Sequence, residues 1–175
     1  MTFNVLHILN LFDDPLHNFT LELKRNDMTY EPNIKSPKHV ADYMKIINES
    51  PHDTQIALLV KYGKTSPYDM LLSLNFNSTI SLDLPPGLPS TFKRDEATNA
   101  DLFSPLASQI GRLKSCLKTN PIKKVDKERV FIQVIESIPP CDADILALCK
   151  DKELTRVYPN ITADLIKEVY PHWVK

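Results

Sequence analysis

Five histidines, three cysteines and 22 acidic residues are the side chains with which this 175-residue chain could do chemistry, so their spacing is the first question. His7, His17, His39, His52 and His172 form neither a His-x-x-x-His pair nor a His-Glu-x-x-His motif. His52-Asp53 is the one adjacent histidine and acid, and Asp53 already has a role beside the positive end of a predicted helix. Cys116, Cys141 and Cys149 are odd in number and contain no Cys-x-x-Cys pair, whereas structural zinc takes four clustered ligands. Asp142-Ala143-Asp144 resembles the carboxylate pair that magnesium uses, but no phosphate-binding loop or further acidic cluster completes a nuclease or transferase site. The sequence therefore assigns no catalytic residue, no metal ligand and no cofactor, and by itself it names no activity.

Charge is more informative. Residues 1–110 hold nine Lys/Arg against thirteen Asp/Glu, net −4, and residues 111–175 hold twelve against nine, net +3. The excess sits in Arg112, Lys114, Lys118, Lys123, Lys124, Lys127 and Arg129, offset by Asp126 and Glu128 alone. Such a stripe is suited to neutralising nucleic-acid phosphates, although it has no aromatic residue for base stacking and an exposed basic helix face is usually just solvated. A second candidate surface is Pro85, Pro86, Leu88, Pro89 and Phe92, a preordered apolar ridge beside Lys93 and Arg94, of the kind that docks on a protein partner. The competing reading of that segment is a rigid spacer packed on helices.

The elements that position these residues follow from an unusual punctuation. Only 3 glycines occur against about 12 expected, and 14 prolines against about 9. Hairpins and phosphate loops both require glycine, so a β-rich fold and a nucleotide-binding loop are excluded as expectations. Ser36-Pro37, Ser50-Pro51, Ser66-Pro67 and Ser104-Pro105 each place a capping hydroxyl before a proline expected at the first helical position. The apolar spacing after them gives Val40, Tyr43, Met44 and Ile47; then Ile56, Leu59 and Val60, stopped by Gly63 as a left-handed residue; then Tyr68, Leu71 and Leu72; then Leu106, Ile110, Leu113 and Leu117. Asp126 is expected to cap a helix bearing Phe131, Val134, Ile135 and Ile138; Asp142 and Asp144 to open the next; and Thr162 to cap the last. Residues 19–23 read as helix or as a short strand, and Ile80, Leu82 and Leu84 alternate before the prolines.

The expected architecture is mainly α: one compact domain of short helices over residues 36–175, an extended proline-rich connector at 76–103, a minor strand at most, and an amino-terminal extension over 1–35. Apolar residues at 42% and charged residues at 25% are those of a globular protein. No apolar run approaches the ~18 residues of a membrane span, and the amino terminus has no basic region or cleavage site of a signal peptide, so a cytoplasmic protein is expected.

Ile56-Ala57-Leu58-Leu59-Val60-Lys61-Tyr62, Leu84-Pro85-Pro86-Gly87-Leu88-Pro89 and the tail from Phe131-Ile132-Gln133-Val134-Ile135-Glu136 through Lys150-Asp151-Lys152-Glu153-Leu154 to Tyr158 resemble a family of small proteins of large T4-like tailed bacteriophages. The resemblance runs from about residue 45 to the end; residues 1 to about 40 depart from it. It implies a phage product that acts in the infected bacterial cytoplasm, and it transfers no catalytic residue; together with the lack of a catalytic motif, this makes a non-enzymatic accessory protein that binds a host or phage macromolecular assembly the expected function, with nucleic-acid binding through residues 112–129 the alternative. Because the whole chain carries net −1, the basic stripe is expected to give weak, nonspecific duplex binding at physiological salt. Replacing Lys118, Lys123, Lys124 and Lys127 with Gln should then flatten the salt dependence by about 0.9 per lost phosphate contact in a mobility-shift titration, whereas tight, salt-resistant binding would make nucleic acid the main ligand.

Overall fold

Three Ser-Pro pairs do precede helices, each helix starting one residue later than the spacing predicts. In the computed structural model, which describes residues 39–92 and 103–174, Pro51, Pro67 and Pro105 occupy the capping position itself, and no serine hydroxyl caps the helix that follows. Ser50 instead closes the preceding helix, its hydroxyl donating to the Ile46 carbonyl at 2.7 Å. Ser36-Pro37 lies outside the described residues.

Among the described residues eight α-helices follow one another: α1 Val40–Glu49, α2 His52–Tyr62, α3 Tyr68–Phe76, α4 Leu106–Gln109, α5 Lys124–Ser137, α6 Pro140–Lys150, α7 Leu154–Val157 and α8 Ala163–Val169, with a 3₁₀ segment Ile110–Cys116 continuing α4. Residues 37–175 form one compact unit, so the fold is mainly α and built of short helices, as expected. No strand is present among the described residues; the alternation at Ile80, Leu82 and Leu84 yields a single antiparallel bridge, Leu82 to Leu117. The strand reading of 19–23 and the extension 1–35 fall outside the described residues.

α6 is the central element, packed against α1, α3 and the short α7, while α5 covers the 3₁₀ segment and α2 meets α8. Val40, Tyr43, Met44 and Ile47 are all buried, as their spacing predicts, and so are Phe131, Val134, Ile135 and Ile138. Two of the expected apolar faces need correction. The buried face of α2 is Gln55, Leu58 and Leu59, and Val60 is 63% exposed. The polar Gln55 belongs inside because its amide donates to the Ile47 carbonyl at 2.8 Å, tying the start of α2 to the end of α1. The stripe ending at Leu117 is also broken, because the helix stops at Cys116 and Leu117 is drawn out to pair with Leu82.

Gly63 is right-handed, with φ −62°, so it is not the left-handed stop that the sequence suggests. Its missing side chain makes room for Tyr170: a Cβ there would lie 2.5 Å from the Tyr170 hydroxyl and 2.7 Å from the Leu59 carbonyl oxygen. That hydroxyl donates to the Leu59 carbonyl and locks the segment after α8 onto α2. Tyr43, fully buried, makes the matching bond one residue earlier, to the Leu58 carbonyl at 3.1 Å. Burial pushes the Tyr170 phenol up to about 12 from its ordinary 10. Between those values the unfolded chain loses a proton that the folded chain keeps, so stability should fall as pH rises through that window. Tyr170→Phe should flatten that alkaline fall while costing about 1 kcal/mol at neutral pH, both read from urea midpoints across pH.

Candidate functional site

The proline segment and the Lys150-to-Leu154 run, 61 residues apart from Pro89 to Lys150 in sequence, meet in space. Each residue of that run has a structural task. Lys150, its side chain 2% exposed, donates from Nζ to the Pro85 carbonyl at 2.7 Å, pairs with the Asp151 carboxylate, and lies 5.9 Å from the centre of the Phe131 ring. Asp151 Oδ2 accepts the Gly87 backbone N–H at 2.6 Å. Gly87 has φ +70°, a conformation that suits glycine because it carries no Cβ. One ion pair thus grips both ends of Pro85-Pro86-Gly87.

Lys152 completes the clamp by an unusual route. The Glu153 N–H bonds to the Leu148 carbonyl at 2.8 Å and the Lys152 N–H to that of Cys149 at 3.3 Å, the Schellman closure of α6, which leaves Lys152 at φ 62° where glycine is the usual occupant. A non-glycine residue in that region costs roughly 1–2 kcal/mol. The side chain accounts for the choice: Nζ donates to the Leu74 carbonyl at 3.1 Å and the Asn77 carbonyl at 2.7 Å, a cation at the negative end of α3. The Leu154 N–H then bonds to Asn75 Oδ1 at 3.1 Å, and Leu154 itself is fully buried.

Upstream, the connector is fastened by a second buried lysine. Lys127 is 2% exposed, its Nζ donating to Asp83 Oδ2 at 3.2 Å and the Leu117 carbonyl at 3.0 Å. The bridge beside it exchanges Asp83 N–H to Cys116 carbonyl and Lys118 N–H to Ser81 carbonyl, both 2.9 Å. Lys127 therefore does not belong to a solvated basic stripe; it lies on the face of α5 that buries Phe131 and Val134, one and two turns further on. Arg112, Lys114, Lys118, Lys123, Lys124 and Arg129 are exposed. Arg112 is held by Gln109 and Gln133, and Arg129 by Asp126 at 3.0 Å. Asp126 lies in the first turn of α5 and is not its cap; Lys123 occupies that position.

Along the ridge, Pro85 and Pro86 are exposed, Leu88, Pro89 and Phe92 half-buried, and Lys93 and Arg94 lie outside the described residues. A cleft of about 500 Å³ opens on one side, walled by Gly87, Leu88, Leu148, Arg156 and Tyr158 with the acids Asp144, Asp151 and Glu153. A hollow of about 120 Å³ lies along the ridge itself, between Pro85, Pro86, Pro89 and the α5 residues Glu128, Phe131 and Ile132. The ridge is thus supported at its base and bordered by concave surface.

The residues with chemical potential are distributed differently from their order in sequence. His52 pairs with Glu168 across an exposed 3.2 Å contact, away from Asp53. Cys116 and Cys149 are buried, and burial raises both thiols above their ordinary range. Asp142 is buried in the first turn of α6, yet its Oδ1 accepts the Val40 N–H at 2.8 Å and the Ala41 N–H at 3.3 Å, capping α1 from 102 residues away. His39 and Cys141 come with it, their ligating atoms and that of Asp142 all within 4.8 Å of one another. Sequence spacing carries no trace of that grouping, because His39 and Cys141 belong to different helix ends. Cys141 is exposed as a residue while its thiol is partly shielded from water by the protein; that desolvation and the Asp142 carboxylate raise the thiol, which argues against a thiolate nucleophile.

Comparison with known protein families, curated proteins and solved structures returns no match to this chain. The clamp is directly testable. Lys150→Met preserves the length of the stem but strands Asp151 and the Pro85 carbonyl, so it should cost about 3 kcal/mol in urea unfolding. It should also speed protease nicking within residues 84–92 severalfold; an unchanged midpoint and unchanged nicking would show that the ammonium does not hold the segment.

Proposed function

We propose that this chain is a non-enzymatic bacteriophage accessory protein that docks on a host or phage protein complex in the cytoplasm of the infected cell, as a host-takeover factor would. The observation that carries the reading is the clamp: Lys150 and Asp151 fix the backbone of Pro85-Pro86-Gly87 while both proline rings stay exposed. A ridge already held in one conformation loses little entropy on binding, which is how rigid proline segments serve recognition. Leu88, Pro89 and Phe92 supply apolar contact beside it. The resemblance of both clamped segments to phage proteins supports the cellular setting. No helix among the described residues is long and apolar enough to cross a membrane.

The alternative ligand is nucleic acid, favoured by the six basic side chains that remain exposed between Arg112 and Arg129. The two readings use different surfaces, so one experiment separates them. Tagged full-length chain is recovered from infected cells and compared with Pro85→Ala/Pro86→Ala and with Lys118→Gln/Lys123→Gln/Lys124→Gln. A defined protein partner that falls at least tenfold with the proline variant and is unaffected by the lysine variant is expected. Nuclease-sensitive recovery that follows the lysine variant would replace the reading with nucleic-acid binding.

A further inference from the structure

At the junction of α1 and α6, we infer that His39, Cys141 and Asp142 form a binding site for a zinc-class divalent ion. Three observations converge there. His39 Nδ1 is a buried nitrogen with no hydrogen-bond partner among the described residues, which is a costly arrangement unless something else occupies its lone pair or proton. Asp142, with its side chain 3% exposed, spends Oδ1 on the two N–H groups of α1, and its Oδ2 stands 3.9 Å from that nitrogen. The Cys141 sulfur is 4.0 Å from Asp142 Oδ1.

Tetrahedral zinc, with bonds of about 2.0–2.3 Å, holds its ligand atoms about 3.3–3.8 Å apart. The present set, within 4.8 Å throughout, needs only small side-chain rotations to close on an ion. Mixed nitrogen, sulfur and oxygen donors select a borderline metal over magnesium or calcium, which take oxygen ligands. Charge balance agrees: on binding, Cys141 gives its thiol proton to solvent, and thiolate plus carboxylate plus neutral imidazole leave a neutral complex with a divalent ion. That neutrality answers the positive ends of α1 and α6, which would oppose an uncompensated cation. Three protein ligands leave a fourth position, and Cys141 and Ala41 line the 500 Å³ cleft, so that position belongs to water or to a donor group entering the cleft.

The test uses reduced, metal-free, full-length protein titrated with cobalt(II), whose thiolate charge-transfer absorption in the near ultraviolet reports a sulfur ligand directly. One equivalent should develop the band, and zinc should bleach it. Cys141→Ser should abolish the band with an unchanged circular dichroism melt. Asp142→Asn keeps the Oδ1 acceptor that caps α1 but removes the carboxylate charge, and should weaken cobalt at least tenfold; His39→Gln should do likewise. A folded wild-type protein that gives no band, or a band that survives Cys141→Ser, would overturn the site. Undiminished affinity in Asp142→Asn would overturn the assignment of Asp142 as a ligand.

Discussion

The buried ammonium of Lys150 is the interaction on which the arrangement of the candidate surface depends. An unpaired charge in that position would be untenable, so it must collect partners from every element within reach. It finds them in Asp151 of its own helix end, in the Pro85 carbonyl and in the face of Phe131 on α5. α5, α6 and the proline segment are thereby held to a single point. Asp151 extends the grip to Gly87, and Lys152, one residue further, reaches the end of α3. Five consecutive residues thus bring together the exit of α6, the exit of α3 and a segment without regular structure.

The same strategy recurs elsewhere among the described residues. This chain has three glycines, and it connects its helices with polar side chains that satisfy distant backbone groups. Asp142 caps α1, Gln55 takes a carbonyl at the end of α1, Asn75 receives the start of α7, and Asn48 and Asn160 bond one another's backbone at 2.7 and 2.9 Å. Tyr43 and Tyr170 do the same for the carbonyls of Leu58 and Leu59. Each of these bonds spans sequence that a local turn would not cross, so local and tertiary structure form together. A helix such as α1, with no local side-chain cap, completes its amino-terminal hydrogen bonding only when α6 is in place.

Much of the helical pattern is legible residue by residue. The faces of α1 and α5 follow from apolar spacing, since a helix face buried against neighbours must repeat at 3.6 residues. Thr162 caps α8 as its position suggests, accepting the Leu165 N–H at 3.2 Å. Three of the misplacements share a cause. Gly63, Lys127 and Asp142 look like stop, surface or local-cap residues by type, and each is claimed by a group far away in sequence: the Tyr170 ring, Asp83 and the N–H groups of Val40 and Ala41.

By itself the sequence determined the mainly helical class and the irregular proline segment, because these follow from backbone preferences that each residue carries with it. It also singled out the proline run of the clamp, Leu84-Pro85-Pro86-Gly87-Leu88-Pro89, whereas Lys150-Asp151-Lys152-Glu153-Leu154 stood out only through the resemblance. Only the tertiary structure decided that they touch, that Lys127 and Lys150 point inward, and that His39, Cys141 and Asp142 share a corner. Those outcomes are set by long side chains seeking partners across the fold, and the energy of a buried charge or a capped helix end depends on distances that no local pattern of residues encodes.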